Sequence, residues 1–343
     1  MTLLAISFHS VHMHVVQTTW KEQREHHKYT KAQQPMKDSV AEPAESMSQM
    51  KWGAEYYTGG TFIILDWEKK QVVWQLALDG AMGFCFHDGL LYINMMRLGE
   101  IVALDGHGCE QQRISHKSLN NIHTVVPTER GFLLTSTGTD SIIELDQKGT
   151  LIYEWCALDH GYSLLGNGQP RTLDRSLDQR YVVYPTYAHT THVNSACFAD
   201  SKEDVILATL FHQGTIIAID RRSGQVQTLV SGLNRPHDLR PCSAGGWIVS
   251  NTQDHQTLLL DEEWKITQSI ALSFNWVQSS APLADGSIII ADANNHRLVR
   301  VRPGDQQAIE IETFPANWRI YHVEEVPTQY AGFFQHPIAD PPL

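Results

Sequence analysis

The chain has no CxxC pair, no apolar run long enough to cross a bilayer and no excess of basic charge, and each absence closes off a class of function. Its five cysteines, Cys85, Cys109, Cys156, Cys197 and Cys242, are odd in number and widely spaced. That pattern is neither a disulfide framework nor a thiolate zinc site, so reduced, mostly buried thiols are expected. With no stretch of about 18 apolar residues, no spanning helix is expected. The opening ten residues are mildly apolar but carry no charged leader and no small-residue cleavage site. They do not read as a signal peptide, and a cytoplasmic location is the expectation. Lys and Arg number 26 against 38 Asp and Glu, a formal net charge of −12. Such a chain offers no basic field to nucleic acid or to an anionic membrane surface.

What is present is the composition of a globular protein with a core, 42% hydrophobic and 19% charged over 343 residues. Residues 1–52 read as a flexible N-terminal extension, because Gln17 to Met50 is rich in Gln, Lys, Glu, His and Ser and has little apolar periodicity. His26 and His27 lie there, and a metal role for them carries little weight. From Gly53 the text changes to short β-branched and aromatic runs punctuated by Gly, Asp and Asn turns.

Those runs repeat. A strand closing on Asp, a turn and a second strand recur as IILDWEKKQVVWQL, IVALDGHGCEQQRI, IIELDQKGTLIYEW, IIAIDRRSGQVQTL, LLLDEEWKITQSI and, more loosely, LVRVRPGDQQAIEI. Asp66, Asp105, Asp146, Asp220 and Asp261 hold one slot, with Arg302 in the sixth; they are expected to bond turn amides and do no chemistry. Steps of about 40 residues match one four-stranded propeller blade. The expected fold is therefore all-β, a six-bladed β-propeller over residues 53–337. Its split blade would take inner strands from Tyr321 to Phe334 and outer strands from Thr61 to Leu76, so that the two ends of the chain pair.

At the opposite end of each unit, where the innermost strand begins, a polar residue recurs: His123, His192, His237, Gln278 and, with a one-residue slip, His322. The unit GAMGFCFHDGLLYIN offers only Met82 or Gly83. The rotation that relates the blades would bring these slots to one place near the axis. His255 and His212 follow second strands and could reach the same rim. Between the third and fourth units, residues 159–189 form an insertion with interleaved aromatics and arginines, among them Arg171, Arg175, Arg180, Tyr184 and Tyr187. A lid is expected there, with aromatics for an aryl substrate and arginines for an anion.

The segments THVNSACFADSKEDVILATLFHQGTIIAIDRRSGQV and HDLRPCSAGGWIVSNT resemble the bacterial arylsulfate sulfotransferases, and IIELDQKGTLIYEW is similar to that family's strand-turn-strand. The resemblance covers roughly residues 55 to 335 through short motifs. SIIIADANNHRLVRV separately resembles NHL-type repeats, which speak to architecture alone. What the first resemblance implies is a channel lined by histidines and an arginine, a transferase without a cofactor, and a small aromatic or anionic substrate. His192 with Asn194 matches a His-x-Asn-Ser motif and His237 a His-Asp motif; both would contact the sulfuryl group, with His123 and Gln278 beside them. His322 is the candidate nucleophile, forming a sulfohistidine. The family's channel arginine has no clear match: His255 stands near its position, and Arg97 and Arg319 are substitutes.

Two other readings stand beside this one. His123, His192, His237 and His322 could instead hold iron, copper or another divalent metal, as in propeller oxygenases with one histidine per blade, or serve a lyase. The chain could also be a non-enzymatic scaffold that takes a protein partner on one face.

Overall fold

The computed structural model describes residues 1–10 and 59–334, apart from 79, 97, 243, 244 and 306. Within them are six four-stranded antiparallel sheets and no long helix. Among the described residues no helix is long and apolar enough to cross a membrane. Each sheet is one blade of a six-bladed β-propeller. The innermost strands are β4 (Ala81–His87), β8 (Ile122–Pro127), β12 (Val193–Phe198), β16 (Pro236–Pro241), β20 (Val277–Pro282) and β24 (Arg319–Glu325).

The repeated Asp fixes the turn between third and fourth strands. Asp105 Oδ1 accepts from the amides of His107 and Cys109, and Asp146 Oδ1 from those of Lys148 and Thr150. Asp220 and Asp261 do likewise for Ser223 and Lys265. The residues facing a neighbouring blade are apolar, and the core lies between blades. Phe62, Phe84 and Trp74 pack with Leu91 and Ile93, and Ile142, Trp155 and Val193 pack with Ile206 and Ile217. Each fully buried aliphatic side chain contributes about 1.5–3 kcal/mol. Edge-to-face rings such as Phe62–Phe84, 4.8 Å between centroids, join adjacent sheets.

The closing blade departs from expectation. Its order is β24, β1 (Leu3–Ser10), β2 (Thr61–Asp66) and β3 (Gln71–Ala77). The second strand therefore comes from the first ten residues, which the sequence reading had placed in the extension. Leu3 to Ser10 are buried along their whole length because both faces lie between blades, giving a continuous run without the alternation of a half-exposed strand. Residues 326–334, expected as inner strand, instead carry a short 3-10 turn (Thr328–Tyr330) that packs Tyr330, Phe333 and Phe334 against Phe86. Gln17 to Met50, with His26 and His27, lies outside the described residues, as does Arg97. All five cysteines are free thiols.

Candidate functional site at the channel mouth

Four of the six inner strands open in the same unusual way. The residues just before β8, β12, β16 and β20 are Asn121, His192, Arg235 and Trp276, with φ of 49°, 51°, 55° and 68°. Side chains are strained in that left-handed region. It persists here because buried groups hold the entering backbone: Asp140 accepts from the amides of Thr190 (2.7 Å), Thr191 (3.0 Å) and His192 (2.6 Å). A bulge then interrupts every inner ladder, skipping Asn194 between Val193 and Ser195 and Gln278 between Val277 and Ser279.

The registers place Met82, His123, Asn194, His237, Gln278 and Tyr321 in one rotational slot. One expected position is thereby corrected: His192 stands two residues earlier, on the rim with Arg235 and Trp276. His322 stands one residue out of the slot, the offset expected of it, and faces deeper. Neither the left-handed entry nor the bulge has a sequence mark that simple strand alternation would show. Gly83 is held small because a Cβ there would lie 2.4 Å from the His123 carbonyl oxygen.

His123 and His192 lie edge to face, 5.2 Å between ring centroids, and Tyr321 stands 5.7 Å from His123. Phe211 packs between His192 (4.7 Å) and His237 (5.4 Å). Trp276 is 6.0 Å from His237, and its Nε1–H donates to Gln278 Oε1 at 2.8 Å. The Arg319 guanidinium lies over Trp276 at 5.6 Å and donates to Asn294 Oδ1 at 2.7 Å. His9 of β1, which the sequence reading did not single out, faces Tyr321 at 6.1 Å.

Hydrogen-bond partners set the tautomers. The Nδ1 of His237 is 2.9 Å from the Arg235 carbonyl oxygen, so it carries the proton and Nε2 keeps a lone pair. Thr252 Oγ1, also 2.9 Å from that Nδ1, spends its own hydrogen on the Val277 carbonyl. His189 gives its Nε2–H to the Tyr184 carbonyl at 3.1 Å and accepts at Nδ1 from His192 Nδ1, 2.6 Å away. His123 Nδ1 meets Asn194 Oδ1 at 2.5 Å. Burial holds these rings neutral. It lowers His123 to about 4 and His237 to about 3, and it drives His192 well below its ordinary value, with His189 and His123 adding repulsion. His9 falls to about 3 through burial and then Arg319. Arg319 is itself lowered to about 10 by burial, and among the described residues no carboxylate pairs with it.

One step down the channel the electrostatics change. Arg240 Nε is 2.9 Å from Asp238 Oδ1, and Nη1 is 3.6 Å from Glu324 Oε2. Its Nη2 lies 3.1 and 2.9 Å from the two ring nitrogens of His322 and 3.3 Å from Ser279 Oγ. Asp238 Oδ2 accepts from Ser279 Oγ (2.6 Å) and the Ser280 amide (3.2 Å). Arg240 thus stands beside the candidate nucleophile; the sequence reading offered Arg97, Arg319 and His255 for that place. Between rim and cluster is a cavity of about 10 Å³, room for roughly one water molecule, lined by Thr124, Asn194, His237, Asp238, Gln278, Tyr321 and His322.

The remaining candidates are placed as follows. His255 sits at the end of a 3-10 turn (Thr252–Asp254) and its Nδ1 accepts the Trp276 amide at 3.0 Å, so it pins the rim backbone and does not fill the arginine position. The arginines of the insertion meet internal carboxylates, which corrects their expected anion role: Arg171 pairs with buried Asp140, Arg175 with Asp159, and Arg180 with Asp178. Tyr187 is exposed on the insertion. The segment's contribution to the mouth is His189, stacked on His192 at 4.8 Å. Among the described residues no three His, Cys, Asp or Glu side chains are arranged to hold a metal ion. Phe211 separates His192 from His237, and Arg240 puts a cation against His322.

No protein-family model matches the chain, and no curated protein sequence matches it. Among solved structures, a Nidogen/Laminin complex is similar at a TM-score of 0.56 and 12% identity, covering 77% of this chain and 94% of that one. A protein of unknown function from Bacteroides caccae gives 0.53 and 13%, covering 78% and 94%. A streptogramin B lyase gives 0.49 and 13%, covering 69% of each. At such identities the likeness to the first two shows the fold alone, and with the six four-stranded sheets the chain is a six-bladed β-propeller.

Proposed function

We propose that the chain is a small-molecule enzyme that transfers a sulfuryl-type group between aromatic compounds at the axial channel. The observation that carries this reading is the charge arrangement of the mouth. Arg319 is a half-buried cation without a carboxylate partner among the described residues, lying over Trp276 and near the His9 and His237 imidazoles that burial keeps neutral. An anion whose aryl group packs on Trp276 and Phe211 would complement that arrangement.

His322 and His237 share one cavity, so an ester sulfur near it would be in reach of both. In the first step a ring nitrogen of His322 bonds to sulfur while the S–O bond to the aryl oxygen breaks, and the phenolate leaves. Arg240 beside the ring balances charge that develops on the sulfuryl oxygens. In the second step the oxygen of another phenol bonds to sulfur, the S–N bond breaks, and His237 Nε2 receives the phenol proton.

The test supplies 4-nitrophenyl sulfate as donor and phenol as acceptor and follows nitrophenolate release and phenyl sulfate formation. Wild-type protein is expected to catalyse both, His322→Asn to lose at least about a hundredfold in rate, and Arg319→Met to raise KM about tenfold or more. Failure of the wild type on any aryl sulfate, or an unimpaired His322→Asn, sinks the reading.

A further inference from the structure

The cavity beneath the histidine rim contains a mismatch that the transfer reaction does not use. Asn194 is 2% exposed and lines it. Its Oδ1 is committed to His123 Nδ1, and its Nδ2 is buried with no hydrogen-bond partner among the described residues. A buried amide N–H left unpaired is costly, because its lost hydration is not replaced. His237, which also lines the cavity, turns Nδ1 to the Arg235 carbonyl and is left with Nε2 as its acceptor. Gln278, whose Oε1 is taken by Trp276, adds a second side-chain amide to the lining. Asp238 also lines the space, but both its oxygens are engaged, by Arg240 on one side and by Ser279 and Ser280 on the other. The lining therefore combines amide donors with an imidazole acceptor around space for about one water.

We propose that this cavity is a water site and that it makes the protein a hydrolase as well as a transferase, with Asn194 and Gln278 donating to a water oxygen whose proton His237 Nε2 accepts. The inference rests on the transfer reading for its covalent intermediate. His322 lines the same cavity, so a sulfuryl group on its ring would stand beside that water. The water oxygen bonds to sulfur, the S–N bond breaks with its electron pair returning to the imidazole, and the water proton passes to His237 Nε2. The products are inorganic sulfate and the free enzyme. Asn194 is here a positioning residue and His237 the base.

Two measurements test this. A crystal structure at about 1.5 Å is expected to show an ordered water within hydrogen-bond distance of Asn194 Nδ2 and His237 Nε2. Turnover of 4-nitrophenyl sulfate with no phenol added is expected to release inorganic sulfate carrying one oxygen from 18O-labelled water. In Asn194→Asp, which keeps the acceptor for His123 and removes the donor, the ratio of hydrolysis to phenol transfer should fall about tenfold. His237→Phe, which keeps a ring against Phe211 and Trp276, should slow hydrolysis and transfer together, because His237 accepts the proton in both, with the thermal midpoint of each variant measured to confirm folding. Absence of the water overturns the inference whatever the turnover. So does transfer without sulfate release, which leaves the transfer reading intact, and so does a ratio unchanged in Asn194→Asp. Failure to turn over any aryl sulfate, with or without phenol, overturns both.

Discussion

The rim of the channel and the cluster just below it share the inner strands β16, β20 and β24 yet treat charge in opposite ways. Below, Arg240, Asp238 and Glu324 are joined to one another and to Ser279, Ser280 and His322. Above, Arg319 has no carboxylate among the described residues and stands among imidazoles held neutral by burial. A charge that is paired within the protein serves the fold, whereas one kept from a partner is available to a ligand.

Breaking the two regions separately should give opposite results. Asp238→Ala leaves Arg240 buried with one more distant carboxylate and is expected to cost about 3–5 kcal/mol in urea unfolding. Arg319→Met removes a cation that the fold does not neutralise, so stability should stay within about 1 kcal/mol of wild type. Equal losses would erase the distinction.

Acid should separate the regions next. The folded-state values of His123 and His237, about 4 and about 3, lie below the ordinary imidazole value of 6.5. Between those limits the unfolded chain binds more protons, so the rim's contribution is complete above about pH 6.5 and is lost as pH falls towards 4. At pH 5 the loss should be roughly 1–2 kcal/mol for each of these rings. Asp238 is lowered from 3.8, chiefly by Arg240 against the opposing effect of burial, so its contribution is present above about pH 4 and lost only below that. Urea titrations from pH 7 to 4 on wild type and His237→Phe check this, since the variant should show a shallower slope. The smallest effect belongs to His255→Ala. It should remove about 1 kcal/mol by freeing the Trp276 amide and leave aryl sulfate KM unchanged; a tenfold change in KM would move His255 into the site.

Blade number and turn chemistry were legible in the sequence because each repeat carries its own signal, an Asp closing a strand and a turn after it. The site was legible only in part. His123, His237 and Gln278 could be aligned by counting. His192 could not, because a left-handed entry displaces the count by two residues, and His322 could be aligned only with a one-residue slip. Arg240 looked like an ordinary alternation residue, three positions after His237. His9 and His189 were overlooked for a different reason: a blade shared by both chain ends, and an insertion tied down by Arg171 on Asp140, bring them in from segments that carry no repeat.

The strand Leu3–Ser10 has a temporal consequence. Ser10 pairs with Arg319, roughly 300 residues away in sequence, and Leu4 with Glu325. On the ribosome β1 can pair with β2 early, but its other edge must wait until Arg319–Glu325 has emerged. Closure of the ring, with the arrival of His9 beside Tyr321 and Arg319, is then the final step, and the channel mouth does not exist before it.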